Sequence, residues 1–232
     1  MVSVAMAVYN GSRYVEQQLE SILRQLDSGD EICISIDPSE DGSEELLNQF
    51  AKTESRIHLS KGPGKGIIEN FENAISMCGG DIIFLADQDD VWEADKVSFV
   101  KKCFDKTGAI LVMHDVRIMD EQLEHVINDS FYRLKNSRRG IIKNIIRNSY
   151  MGCAMAFKRE LIDYILPMPR DIAMHDQWIG LVAEKKGKVI FTSRKLGQYR
   201  RHGGNVSGLS HADFKSMLRW RIQIIKAIVR VK

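Results

Sequence analysis

The 232 residues predict an α/β fold with a mainly parallel central sheet flanked by helices, and three observations carry that prediction. Short apolar runs alternate with segments whose apolar residues recur every three to four positions, the signs of strand and helix in turn. The alternation runs strand-helix-strand-helix from residue 2 to residue 113, which brings successive strands parallel to one another. The fourth apolar run, residues 81–86, ends in Asp87-Gln88-Asp89-Asp90, where open α/β sheets bind their ligands.

Residues 2–8 form the first strand, and residues 14–26 set Val15, Leu19, Ile22, Leu23 and Leu26 at helical spacing. Residues 31–36 are a second strand, 44–52 a helix and 57–60 a third strand. A helix over 67–77 leads into the strand at 81–86, and 95–106 is helical again. Residues 110–113 begin another strand. The second half is less regular: a polar stretch near 128–139, a helix over 141–147, a helix over 175–186, and short strands at 189–192 and 195–199. Without an internal repeat or low-complexity linker, the chain reads as one domain, residues 1–211. A basic amphipathic helix occupies 212–232.

Hydrophobic residues make up 44% and charged residues 28%, enough for a sizeable core in a soluble protein. Cys33, Cys78, Cys103 and Cys153 are scattered without a C-x-x-C pair and read as reduced, mostly buried thiols of a cytoplasmic protein. The first residues lack a basic leader and cleavage site and read as a strand, not a signal peptide. No apolar run approaches the ~20 residues of a membrane span. The formal charge is +2, but residues 212–232 hold six basic residues against one acidic, so the rest is net −3. That placement argues against a broad nucleic-acid-binding face.

Asp87, Asp89 and Asp90 repel one another unless a cation sits among them, and a hard divalent ion whose shell is completed by substrate phosphates is the simplest remedy. A solvated turn is the plain alternative. Asp37, at the tip of the second strand, is either part of an ordinary strand-to-helix turn or an acceptor for a nucleobase or ribose. Lys61-Gly62-Pro63-Gly64-Lys65-Gly66 lacks P-loop spacing, yet its amides and Lys65 suit a phosphate as well as they suit a solvated loop. Asn70 lies one helical turn beyond, as a second ligand group or a plain surface residue. Asp176 either opposes a helix dipole or serves as a general base beside His175 and Trp178. His202 alone reads as a hydrogen-bonded surface histidine, yet Arg200, Arg201 and His202 together suit a diphosphate and its metal, and the glycines after them suit a closing loop. The basic helix packs on the body or a second subunit, or lies on an anionic membrane.

Taken in order, these segments resemble the family 2 glycosyltransferases of GT-A fold. Val8-Tyr9-Asn10-Gly11, residues 19–25 and Asp37-Pro38-Ser39-Glu40-Asp41-Gly42-Ser43 match the family's opening motifs, with Ile36 and Pro38 departing from its usual Asp and Gly. Asn70-Phe71 resembles the family's Asn-Phe ahead of the metal strand, and Asp87-Gln88-Asp89-Asp90-Val91-Trp92, His175-Asp176-Gln177-Trp178 and residues 199–206 resemble the rhamnosyltransferase-like subgroup. The resemblance implies inverting transfer of a sugar from a nucleoside-diphosphate donor, dTDP-rhamnose or UDP-hexose, to a glycan or lipid-linked acceptor in envelope polysaccharide synthesis. It implies Asp176 as base and Asp89, Asp87 and His202 around Mn²⁺ or Mg²⁺, the histidine favouring Mn²⁺. Tyr9, Asn10, Asp37, Lys65, Asn70, Asp87, Arg200 and Arg201 would bind the nucleotide sugar, and His175 and Trp178 the acceptor. Such a protein is expected in the cytoplasm, with peripheral contact on the inner membrane face. Two rival classes are a sugar-nucleotide nucleotidyltransferase, which expects a glycine-rich basic loop after the first strand, and a non-catalytic nucleotide- or carbohydrate-binding module.

Overall fold

The structure, a computed structural model, describes residues 1–205 and 214–231, without the side chain of Phe214. The end of the glycine motif at 206–208, residues 212–213 of the terminal segment and Lys232 lie outside the described residues. The first half runs β1 (Val2–Val8), α1 (Val15–Leu23), β2 (Glu31–Ile36), α2 (Ser43–Thr53), β3 (Ile57–Lys61), α3 (Ile67–Met77), β4 (Ile82–Asp87), β5 (Val91–Trp92) and α4 (Lys96–Thr107). The second half runs β6 (Leu111–Met119), β7 (Val126–Asn128), α5 (Phe131–Lys135), α6 (Ile141–Ile146), β8 (Met155–Lys158), α7 (Ile162–Ile165), α8 (His175–Lys186), β9 (Val189–Arg200) and α9 (Phe214–Arg230).

These strands form one sheet in the order β3-β2-β1-β4-β8-β6-β9-β5, with β7 beside β6. β1 pairs parallel with β2 and β4, and β2 with β3, each connection passing through a helix. Every residue of β1 is buried, as expected for a strand covered on both faces. One apolar cluster lies on the side of α3 and α8, the other on the side of α1 and α4. Register determines which residues meet at the sheet edge. Ala7 faces Asp87 and Val8 faces Ile36, so Tyr9, Asp37 and Gln88 leave the sheet together there.

Two expectations change. The short strands at 189–192 and 195–199 are one strand, β9, in which the register with β6 jumps from Thr192 to Lys195. Polar Ser193-Arg194 is thus a bulge, not a break. The polar stretch at 128–139 holds α5, because Ser130 Oγ accepts from Arg133 N at 3.1 Å as an N-cap. β8 was not foreseen. It is an antiparallel strand wedged between β4 and β6, and its length of four residues gives too little pattern to read.

α9 lies against α6 and α8. Ile224 and Ile228 are buried, each contributing about 1.5–3 kcal/mol by area removed from water. Arg221 Nη2 donates to Ile146 O at 2.7 Å, and Lys185 Nζ to Ile228 O at 3.0 Å. Cys33, Cys78, Cys103 and Cys153 are free thiols, and all but Cys103 are buried.

Candidate functional site

β4 delivers Asp87 as its last residue, and the turn into β5 carries Gln88, Asp89 and Asp90. Gln88 fastens this turn to the end of β1: its Oε1 accepts from Tyr9 N at 2.8 Å and its Nε2 donates to Tyr9 O at 2.9 Å. Gly11 permits that contact, because a Cβ there would lie 2.4 Å from Gln88 Oε1. Burial, reinforced by Asp89 and then Asp176, pushes the Asp87 carboxyl up to about 7. Burial and the neighbouring acids Asp89 and Asp87 raise Asp90, whose Oδ1 accepts from Arg200 N at 3.1 Å. Beneath them sits Lys96, fully buried, donating to Cys153 O at 2.8 Å with its ammonium 3.9 Å from the Trp92 ring centre. Burial lowers Lys96 to about 8 even though Asp90 and Asp87 oppose that shift.

The end of β9 reaches over this turn. His202 Nε2 lies 2.7 Å from Asp89 Oδ2, and Asn205 Nδ2 donates to the same oxygen at 3.2 Å. Asp87, Asp89 and His202 thus offer carboxylate oxygens and an imidazole, a donor set that fits Mn²⁺ or Mg²⁺. Among the described residues, the three candidate ligands whose atoms all lie within 4.8 Å of one another are Asp87, Asp90 and Cys153, not the Asp87, Asp89 and His202 set. Burial, however, pushes the Cys153 thiol up, so the sulfur is protonated and is a poor ligand.

Asp176 enters from α8. It is 8% exposed, and burial raises its carboxyl to about 6 against hydrogen bonds from Gln177 N and from Asn148 Nδ2 at 3.1 Å. Its charge adds to the upward shift of Asp87, from which 89 residues separate it in sequence. A carboxylate poised near neutrality in a partly dry setting can accept a proton.

On the β2 side Asp37 is buried and its Oδ1 accepts from Gly64 N at 2.8 Å. Asn70 Nδ2 donates to Val8 O at 3.1 Å, while its buried Oδ1 has no partner. Both acceptors crowd Gly62, where a Cβ would lie 2.3 Å from Asp37 Oδ1 and 2.7 Å from Asn70 Oδ1. Asn10, at φ 47°, donates from its N to Ser39 Oγ at 3.0 Å and takes Glu40 N on its Oδ1 at 3.0 Å. Tyr9 and Lys65 are exposed at the rim. Lys65 borders a cleft of about 570 Å³ that runs along α3 to Arg170, away from the acidic turn.

Three expected roles are corrected. Trp178 is 3% exposed in the core and donates its indole N–H to Ile165 O at 2.9 Å, leaving no edge for an acceptor. His175 is also 3% exposed, with its ring stacked on Phe71 at 4.1 Å and held near 3 by burial. Both belong to the first nine residues of α8, all of which are buried. Arg200 is not directed at a diphosphate: Nε donates to Asp89 O at 2.7 Å, Nη1 to Glu121 O and Nη2 to Gln17 Oε1 at 2.6 Å. It braces the acidic turn. Sequence reading missed Asn148, Asn205 and Lys96 as parts of the site. Asn205 lies in the 199–206 motif, and Lys96 stands four residues after Trp92 on the helix that comes after the acids, whereas Asn148 has no local sign.

The sequence matches the glycosyl transferase family 2 over residues 3–166. It is 27% identical over 221 residues to the putative teichuronic acid biosynthesis glycosyltransferase TuaG of Bacillus subtilis, covering 89% of this chain and 81% of that protein. It is 25% identical over 236 residues to the dTDP-rhamnosyl transferase RfbG of Shigella flexneri, covering 91% and 76%. It spans 66% of an uncharacterized glycosyltransferase of Nostoc, to which it is 24% identical over 88% of its own length. Among solved structures, TarS 1–349 of S. aureus in complex with UDP-GlcNAc superposes with a TM-score of 0.78 at 14% identity, over all of this chain and 67% of that one. A Pyrobaculum calidifontis mannosyltransferase in complex with GDP-Man and Mn²⁺ superposes at 0.66 with 19% identity, over 85% and 56%. The fold they share is the GT-A fold. The chain belongs to glycosyl transferase family 2 and is a glycosyltransferase.

Proposed function

We propose that this protein is a metal-dependent inverting glycosyltransferase. It moves a sugar from dTDP-rhamnose or a UDP-hexose to a hydroxyl of a glycan or lipid-linked acceptor in envelope polysaccharide synthesis. The observation that supports the reading is that Asp89, at the sheet edge, and Asp176, at a helix start, both raise the buried Asp87 carboxyl. Asp89, Asp87 and His202 hold Mn²⁺ or Mg²⁺, which when bound supplies positive charge to the departing diphosphate. The Mn²⁺ in the Pyrobaculum calidifontis mannosyltransferase complex supports a divalent metal.

Asp176 takes the proton of the acceptor hydroxyl while that oxygen attacks the anomeric carbon opposite the leaving group. Asn148 and the Gln177 amide hold its carboxylate in place. Asp37 and Asn70 receive a base N–H, and uracil and thymine each present one such donor at N3. Tyr9 and Asn10 line the nucleotide, with Lys65 and Arg201 on its charged side.

The test is transfer from dTDP-rhamnose and UDP-hexoses by Asp176→Asn against wild type, with nucleotide affinity measured in parallel. Loss of transfer with unchanged nucleotide binding is expected. Undiminished transfer in the variant removes the base assignment.

A further inference from the structure

α9 buries one side on the body and leaves another uncovered. Its buried side carries Ile224 and Ile228. About a third of a turn away stand Leu218, Ile222, Ile225 and Val229, spaced four, three and four residues apart and 43–71% exposed. Such spacing makes one continuous stripe along the helix. Beside it, at the Arg221–Ile146 contact, α6 exposes Ile142 and Ile146 one turn apart, at 76% and 57%. Two neighbouring helices thus leave large aliphatic side chains in water, where monomers seldom keep a contiguous patch.

Charge says what covers it. Residues 138–147, which hold α6, contain four basic and no acidic residues, and α9 contains five basic and none acidic. Exposed Arg219, Lys226 and Arg230 flank the α9 stripe on one side, and Arg147 closes α6. A second copy would bring these cations face to face. Nucleic acid would leave the aliphatic stripe unused, and the exposed part of the stripe carries no aromatic ring for stacking. An anionic bilayer answers both features, taking the aliphatic side chains at the headgroup boundary and the cations at its surface.

We infer that α6 and α9 together form a docking face for an anionic phospholipid membrane. Among the described residues no helix is long and apolar enough to cross a membrane, so the contact is one of lying on the surface. The face is also tied to the site. Asn148, two residues beyond α6, donates to Asp176. A lipid-linked acceptor held in the bilayer then has its reacting end presented at the acid. That last step rests on the proposed role of Asp176, whereas membrane binding does not.

The test is co-sedimentation of the protein with vesicles of phosphatidylcholine alone and of phosphatidylcholine mixed with phosphatidylglycerol, at low and high salt. Wild type should pellet with the mixed vesicles only, and salt should release it. Arg219→Gln with Lys226→Gln should weaken binding roughly fivefold per charge. Ile222→Asp with Val229→Asp should weaken it at least ~tenfold. Both sites are on the exposed side, so thermal unfolding should match wild type. Folded wild type that ignores anionic vesicles overturns the inference, as do variants that pellet like wild type. Light scattering that shows a dimer, dissolved by the aspartate variant without any vesicle binding, assigns the face to a second copy instead. Loss of transfer by Asp176→Asn with vesicle binding retained separates this inference from the catalytic one.

Discussion

His202 Nε2 lies 2.7 Å from Asp89 Oδ2, joining the end of β9 to the acidic turn after β4 across 113 residues of sequence. The ring of Tyr14 packs on His202 with centroids 4.8 Å apart, and Asn205 shares the same carboxylate oxygen. Groups that hydrogen-bond a ligating carboxylate orient it and tune metal affinity. His202→Ala is therefore expected to weaken Mn²⁺ binding about 10- to 100-fold, measured by titration calorimetry. Unchanged affinity removes His202 from the metal site.

Asn148 is a positioning residue for Asp176. Its hydrogen bond lowers a carboxyl that burial has raised to about 6, so the acid limb of the kcat/KM profile should fall near pH 6. Asn148→Ala removes a bond that favours the ionised form, so the limb moves to higher pH and kcat falls about tenfold with little change in KM. A fall in activity with a fixed pH profile indicates a structural role only.

The acidic site should make stability fall as pH rises. Asp87 stands near 7 and Asp176 near 6 in the fold, both above their ordinary value of 3.8. At these two acids the native state binds more protons than the unfolded chain between about pH 4 and pH 7, which lowers stability as pH rises. Glu54, which Arg56 holds near 2, acts in the opposite sense only below its ordinary 4.5. Buried His175, near 3, and buried His114, pushed well below its ordinary 6.5, also act in the opposite sense up to about pH 6.5, so the net decline falls above that pH. Thermal unfolding in chelator should show a lower Tm at pH 7.5 than at pH 6.5. Added Mn²⁺ should restore more at the higher pH, because it binds the ionised acids of the folded state. A Tm that rises steadily with pH contradicts the account.

Lys96 supplies a buried positive charge below Asp87 and Asp90. Lys96→Met keeps the volume but leaves the acids without that charge and Cys153 O without its donor. Breaking a buried pair in this way costs about 3–5 kcal/mol, or roughly 6–20 °C in Tm for a chain of this size. The loss should be smaller at pH 5, where the carboxyls are protonated. A loss independent of pH points to packing against Trp92 alone.

The parallel half of the sheet was legible because β1 to β4 and their helices are long, periodic and close in sequence. The α3 and α8 bounds match the sequence reading at both ends. The acids at the β4 tip were legible for the same reason, since a strand that ends in charge announces its own edge. Asn148 was not legible. It reaches Asp176 through a fold contact 28 residues away, and nothing in its neighbourhood marks it. The buried state of Trp178 was hidden because α8 is buried on all sides through its first nine residues and so offers no amphipathic face. Arg200 looked like a diphosphate ligand because arginine beside histidine has that chemistry. Only three dimensions show its donors spent on Asp89, Glu121 and Gln17.

The most direct test of the central claim is calorimetric titration of wild type and Asp89→Ala with UDP and dTDP, each with and without Mn²⁺. Binding that requires the metal in wild type and disappears in Asp89→Ala is the predicted result. Folded wild type that binds neither nucleotide, or binds them equally well without metal and in Asp89→Ala, would contradict the assignment of the acidic turn to a metal–diphosphate site.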